Sequence, residues 1–66
     1  MLIKINNEET DVAEGTMLST LAESRRLPDK GVAIAVNNEL VPRQSWADCE
    51  IHAGDNIIIV KAFSGG

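Results

Sequence analysis

Residues 16–26 read Thr-Met-Leu-Ser-Thr-Leu-Ala-Glu-Ser-Arg-Arg, and this stretch sets the frame for the whole chain. Leu18, Leu21, Ala22 and Arg25 fall at i, i+3, i+4 and i+7, so three apolar side chains form one narrow helical stripe. It is also the only connection long enough to cross over a sheet. Thr16 is the expected N-cap, and Arg25 and Arg26 are expected in the last turn, where cations suit the helix dipole. Leu27-Pro28 ends the helix, because proline disfavours helical geometry at the residue before it.

The segments on either side alternate as strands do. Leu2-Ile3-Lys4-Ile5 places Ile3 and Ile5 on one face, and Asn6-Asn7-Glu8 turns the chain into a return strand near Glu9–Ala13. Val32, Ile34 and Val36 share a face, with Ala33 and Ala35 opposite, where small residues would allow close approach. Asn37-Asn38-Glu39 turns again into Leu40-Val41, and Pro42 limits that strand to an edge or an end. Arg43–Ile51 is irregular, with room for one helical turn anchored by Trp46. Asn56–Ala62 is a continuous apolar run, as in a strand covered on both faces or flanked on both edges. The order strand, strand, helix, strand, strand, strand predicts an α+β roll, a mixed sheet of four to five strands on one helix. Its expected core is Ile3, Ile5, Leu18, Leu21, Ile34, Val36, Ile57 and Ile59.

Sixty-six residues make one small domain, here 1–62, with 63–66 expected as a flexible tail. The net charge of −4, with six scattered cations, argues against binding to a phosphate backbone. No apolar run reaches bilayer length and the N-terminus does not read as a signal peptide, so neither membrane nor export is expected and cytoplasm is. Cys49 is alone, which rules out an internal disulfide.

The usual catalytic constellations are missing. His52 is the only histidine; one Cys and one His fall short of a structural zinc set, and no metal ligands are assigned. Glu8, Glu9, Asp11 and Glu14 cluster, yet a hairpin end offers no desolvating cleft. No glycine-rich phosphate loop occurs, and no bound cofactor is expected. The chain does not read as a self-sufficient enzyme. Its last residues, Ala62-Phe63-Ser64-Gly65-Gly66, allow two readings: a terminal carboxylate that an ATP-using partner activates, or a disordered C-terminus that ends in glycine. Four extended residues from Phe63 reach at most ~13–14 Å. Glycine at the last two positions removes any Cβ that would clash with a narrow pocket or shield the carbonyl carbon.

A helix after an N-terminal hairpin, the segment Val36-Asn37-Asn38-Glu39-Leu40-Val41-Pro42-Arg43-Gln44-Ser45-Trp46, Gly54-Asp55 before a closing strand, and Gly65-Gly66 together resemble the ThiS family of thiamine-biosynthesis sulfur carriers. The resemblance runs the whole length. It implies a ubiquitin-like β-grasp roll and a carrier cycle. A ThiF-like adenylating enzyme, using ATP and magnesium, activates the Gly66 carboxylate. A persulfide from the cysteine desulfurase pathway turns it into a thiocarboxylate, and thiazole synthase receives the sulfur. Gly66 is then the reacting residue and Gly65 gives it access; Phe63, Ser64 and Arg43 are candidate partner contacts. Other readings are the small subunit of molybdopterin synthase, whose chains tend to be longer, a ubiquitin-like modifier, and a β-grasp interaction module.

Overall fold

The computed structural model describes residues 1–28 and 30–61; Asp29 and residues 62–66 lie outside the described part. Strand β1 (Leu2–Ile5) runs antiparallel to β2 (Glu8–Asp11), with Leu2 opposite Asp11 and Ile5 opposite Glu8. The turn between them carries Asn6 and Asn7 at φ 50° and 70°. Paired positive φ is the geometry that matches strand twist in a two-residue hairpin, and asparagine tolerates it. The same device recurs at Asn37 and Asn38, φ 52° and 69°, between β3 (Val32–Val36) and β4 (Glu39–Val41).

The sheet has five strands in the order β2-β1-β5-β3-β4, where β5 is Asn56–Lys61. Only β1 and β5 are parallel; the other neighbours are antiparallel. Helix α1 (Leu18–Ser24) lies in the connection between the two hairpins and packs on the inner face. This is the expected mixed sheet on one helix. β5 takes the central position, so its apolar run reflects pairing on both edges. Its two faces are unequal: Ile57 is buried, whereas Val60 is 55% exposed.

Both asparagine turns also fasten β5. The Ile59 amide donates to Asn6 Oδ1 at 2.8 Å, and Asn6 Nδ2 donates to the Ile59 carbonyl at 3.3 Å. The side-chain amide thereby continues the β1·β5 ladder beyond the end of β1. At the other end, the Asn56 amide donates to Asn37 Oδ1 at 2.9 Å, while Asn37 Nδ2 reaches Asp55 Oδ1 at 3.0 Å.

The helix begins and ends differently from expectation. Met17, not Thr16, is the N-cap, and no side chain caps the first turn. The Thr16 hydroxyl instead donates to the Ala13 carbonyl at 2.6 Å. The segment 49–51 closes the helix start: the Leu18 amide donates to the Cys49 carbonyl at 2.7 Å and the Ile51 amide to the Thr16 carbonyl at 2.9 Å. At the other end, the Leu27 amide bonds the Ala22 carbonyl and the Arg26 amide bonds the Glu23 carbonyl. These are the two bonds of a Schellman motif. It places Arg26 at φ 54°, so both arginines lie beyond the last turn rather than within it.

The buried core comprises Ile3, Ile5, Leu18, Leu21, Ala22, Ile34, Trp46, Ile51 and Ile57. Val36 and Ile59, both expected inside, are half-buried against its margin. A helix of seven residues is only about 10 Å long and leaves the ends of β3 and β5 partly uncovered. Trp46, on a 3-10 helix (Arg43–Asp48), and Ile51 fill the space instead. Ala33 and Ala35 lie on the outer face, away from the helix, so their small size serves no helix packing.

Candidate functional site: the root of the tail

The central strand β5 ends at Lys61, opposite Val32, and residues 62–66 follow it in the sequence. Gly66, Gly65, Ser64 and Phe63, the expected reacting and contact residues, lie outside the described residues. What the structure places is the surface from which they start. Beside Lys61 is an open groove of about 410 Å³ lined by Ile5, Asn6, Arg25, Leu27, Ile59 and Lys61. Half of this lining is aliphatic, Ile5 buried and Leu27 and Ile59 half-buried, and the two cations in it, Arg25 and Lys61, are exposed. The Schellman turn that ends α1 brings Arg25 and Leu27 to the far end of β5. No spacing in the sequence joins Arg25 to Lys61; their proximity comes from sheet order, and the cations that look scattered along the chain are partly gathered here.

Arg43 lies elsewhere and has partners within the chain. Its Nη2 donates to the Pro28 carbonyl at 2.9 Å, and its guanidinium stacks 4.3 Å from the centre of the Trp46 ring. Trp46 Nε1 donates to the Val41 carbonyl at 2.9 Å. The Val41-Pro42-Arg43…Trp46 segment therefore ends an edge strand and pins an aromatic plug into the core. A smaller groove of about 260 Å³, bounded by Glu23, Leu27 and Arg43, runs between this plug and α1.

The residues considered for other chemistry are held apart from such work. Cys49 is half-buried, and burial, aided by the Asp55 carboxylate, pushes its thiol above the ordinary value. The flanking Asp48 and Glu50 are not the source of that shift. The exposed imidazole of His52 lies 4.0 Å from Glu50 and 4.0 Å from Asp55, too far for direct hydrogen bonds. Among the described residues, no three His, Cys, Asp or Glu side chains are grouped to hold a metal ion. Glu8, Glu9, Asp11 and Glu14 are exposed, and Asp11 pairs with the N-terminal amine at 3.0 Å. No described helix is long and apolar enough to cross a membrane.

Comparison with known proteins agrees with the geometry. The structure matches a crystal structure of the thiamine biosynthesis protein ThiS from Geobacter metallireducens with a TM-score of 0.84, covering both chains completely. At 20% identity this establishes the shared fold, the ubiquitin-like β-grasp. In sequence, the chain is 32% identical over 66 residues to the sulfur carrier protein ThiS of Escherichia coli, again over all of both chains. It is also 30% identical over 66 residues to a thiazole synthase of Paramagnetospirillum magneticum, of which it spans 20%. The model of the ThiS family matches residues 2–66, from the first strand of the sheet through the Gly65-Gly66 pair. A five-stranded mixed sheet on one helix, matched by the family model through to Gly66, thus has its place: the chain belongs to the ThiS family.

Proposed function

We propose that this chain is a sulfur carrier of thiamine biosynthesis whose working group is the Gly66 carboxylate. The observation that carries this reading is the full-length match to the family and to the Escherichia coli sulfur carrier, with the Gly-Gly ending inside the matched range. A carboxylate resists attack at its carbon until it bears a good leaving group. A ThiF-like enzyme, with ATP and magnesium, supplies one by forming the Gly66 acyl-adenylate and releasing pyrophosphate. A persulfide then attacks the acyl carbon and expels AMP; cleavage of the resulting acyl disulfide by a thiol leaves the thiocarboxylate and a new disulfide.

The chain's part in this cycle is positional. Its folded body docks, the tail spans the distance to the nucleotide, and two residues without a Cβ leave the acyl carbon open. It is a protein co-substrate rather than an enzyme, and no cofactor is assigned to it. The sulfur passes to thiazole synthase; the similarity to a segment of one such protein supports that partner. We place the cycle in the cytoplasm, where ATP and cysteine-derived persulfide meet. Phe63 and Ser64 lead the tail into the pocket. Arg43 remains a candidate contact, its exposed guanidinium held in place over Trp46.

ATP–pyrophosphate exchange with the adenylating enzyme tests the reading. The wild-type chain supports exchange, whereas deletion of Gly66 or addition of one residue after it abolishes exchange and leaves melting unchanged. Small misplacements at a reacting centre cost orders of magnitude in rate. Exchange that persists at wild-type rate in either variant contradicts the proposal.

A further inference from the structure

The groove beside Lys61 has a feature that carriage of sulfur alone does not require. Arg25 and Lys61, from different parts of the chain, line it together with the aliphatic side chains of Ile5, Leu27 and Ile59. The rest of the chain is acidic enough to give a net charge of −4. At the opposite end, where α1 begins, Glu14 and Glu50 share one surface with His52. Glu8 stands opposite Ile5 in register, yet neither it nor any other acidic residue is among those that line the groove. Among the described residues, the N-terminal amine pairs with Asp11 at 3.0 Å, and no salt bridge involves Arg25 or Lys61.

Tether length says what comes close to this groove. Five residues, 62–66, separate Lys61 from the carboxylate, and fully extended they span at most roughly 17–18 Å. Resting on the reading that Gly66 is adenylated, the wall of the enzyme's nucleotide pocket therefore lies within that reach of Lys61 whenever the tail is engaged. An acidic rim on that wall would be repelled by most of this chain and attracted here, which orients the encounter as well as accelerating it.

We propose that the Arg25–Lys61 groove docks an acidic segment of the adenylating enzyme at the mouth of the pocket that takes the tail. The two cations pair with its carboxylates, and Leu27 and Ile59 receive an apolar side chain between them.

The test uses the purified adenylating enzyme and full-length chains carrying Arg25→Glu, Lys61→Glu or, as a control, Lys4→Glu. Lys4 lies on the outer face of β1, between Glu9 and Asn56. In pyrophosphate exchange, the groove variants raise the KM for the chain at least ~tenfold and hold kcat within ~twofold, while the control stays within ~twofold on both. The wild-type KM rises with salt, and that rise is blunted in the groove variants. Groove variants with wild-type KM, or a control that shifts KM as much as they do, overturn the proposal. Thermal melting verifies folding, and Arg25→Gln and Lys61→Gln carry the same test with smaller shifts should a reversal unfold the chain. A wild-type chain that supports no exchange defeats the adenylation reading itself, a result distinct from any change confined to the variants.

Discussion

Trp46 shows how one side chain can serve as both wall and fastener. It is 4% exposed, and its indole N–H is satisfied by the Val41 carbonyl. Trp46→Ala is expected to cost about 3–5 kcal/mol through the cavity it leaves. Trp46→Phe keeps most of the volume but orphans a carbonyl, at about 1–3 kcal/mol. Denaturant melts check both, and a Trp46→Ala loss below about 0.5 kcal/mol contradicts its place in the core. Cys49 makes an opposite case, a residue whose surroundings suppress its chemistry. Its pKa is raised by burial first and Asp55 second, from an ordinary value of 9.0. Because the folded value is the higher one, the stability tied to the neutral thiol is present below about pH 9 and is lost as pH rises through the folded value. Alkylation at mildly alkaline pH is therefore slower in the folded chain than in the denatured chain, and Cys49→Ser still acquires sulfur. Faster folded-state alkylation, or a serine variant that is adenylated but never sulfurated, contradicts this account.

At the scale of elements, the helix ends carry the clearest consequences. Arg26 occupies a left-handed position that glycine adopts without a Cβ penalty. Arg26→Gly is expected to raise stability by about 0.5–1 kcal/mol, read as a higher denaturant midpoint at unchanged slope; a lower midpoint means that the arginine earns its place through contacts. Leu21, 4% exposed on the inner face of α1, is expected to cost about 2–5 kcal/mol when cut to alanine. The strands and α1 were legible because period 2 and period 3.6 are written directly into Ile3/Ile5, Val32/Ile34/Val36 and Leu18/Leu21/Ala22. The asparagine turns were legible because few residues tolerate paired positive φ. What escaped was tertiary. Thr16 looks like a cap, yet the backbone of residues 49–51 takes over the helix start, and no local pattern reports a partner more than thirty residues away. Ile51 sits in a stretch without period, so nothing marks it as core. Val36 and Ile59 carry the right period but lie where a short helix runs out.

Across the whole molecule, the described fold is a five-stranded sheet on one helix, and the proposed working group lies beyond its central strand in sequence. The central strand is the best-fastened element, paired on both edges and bonded by Asn6 and Asn37, and the tail issues from it. If Gly66 is adenylated as proposed, a firm root for a short tether limits where its carboxylate can go, which is what delivery into a pocket needs. Gly65-Gly66, the proposed reacting end, could be read from the sequence, whereas the groove beside Lys61 could not, since Arg25 and Lys61 become neighbours only through strand order. The central claim is that sulfur is carried on Gly66. Intact-mass analysis with fragment sequencing tests it most directly, after incubation with ATP, magnesium, the adenylating enzyme and a persulfide source. The account predicts a mass gain of one oxygen-to-sulfur exchange located on Gly66 and absent from a chain lacking that residue. Sulfur found on Cys49, or gained equally by the shortened chain, would contradict it.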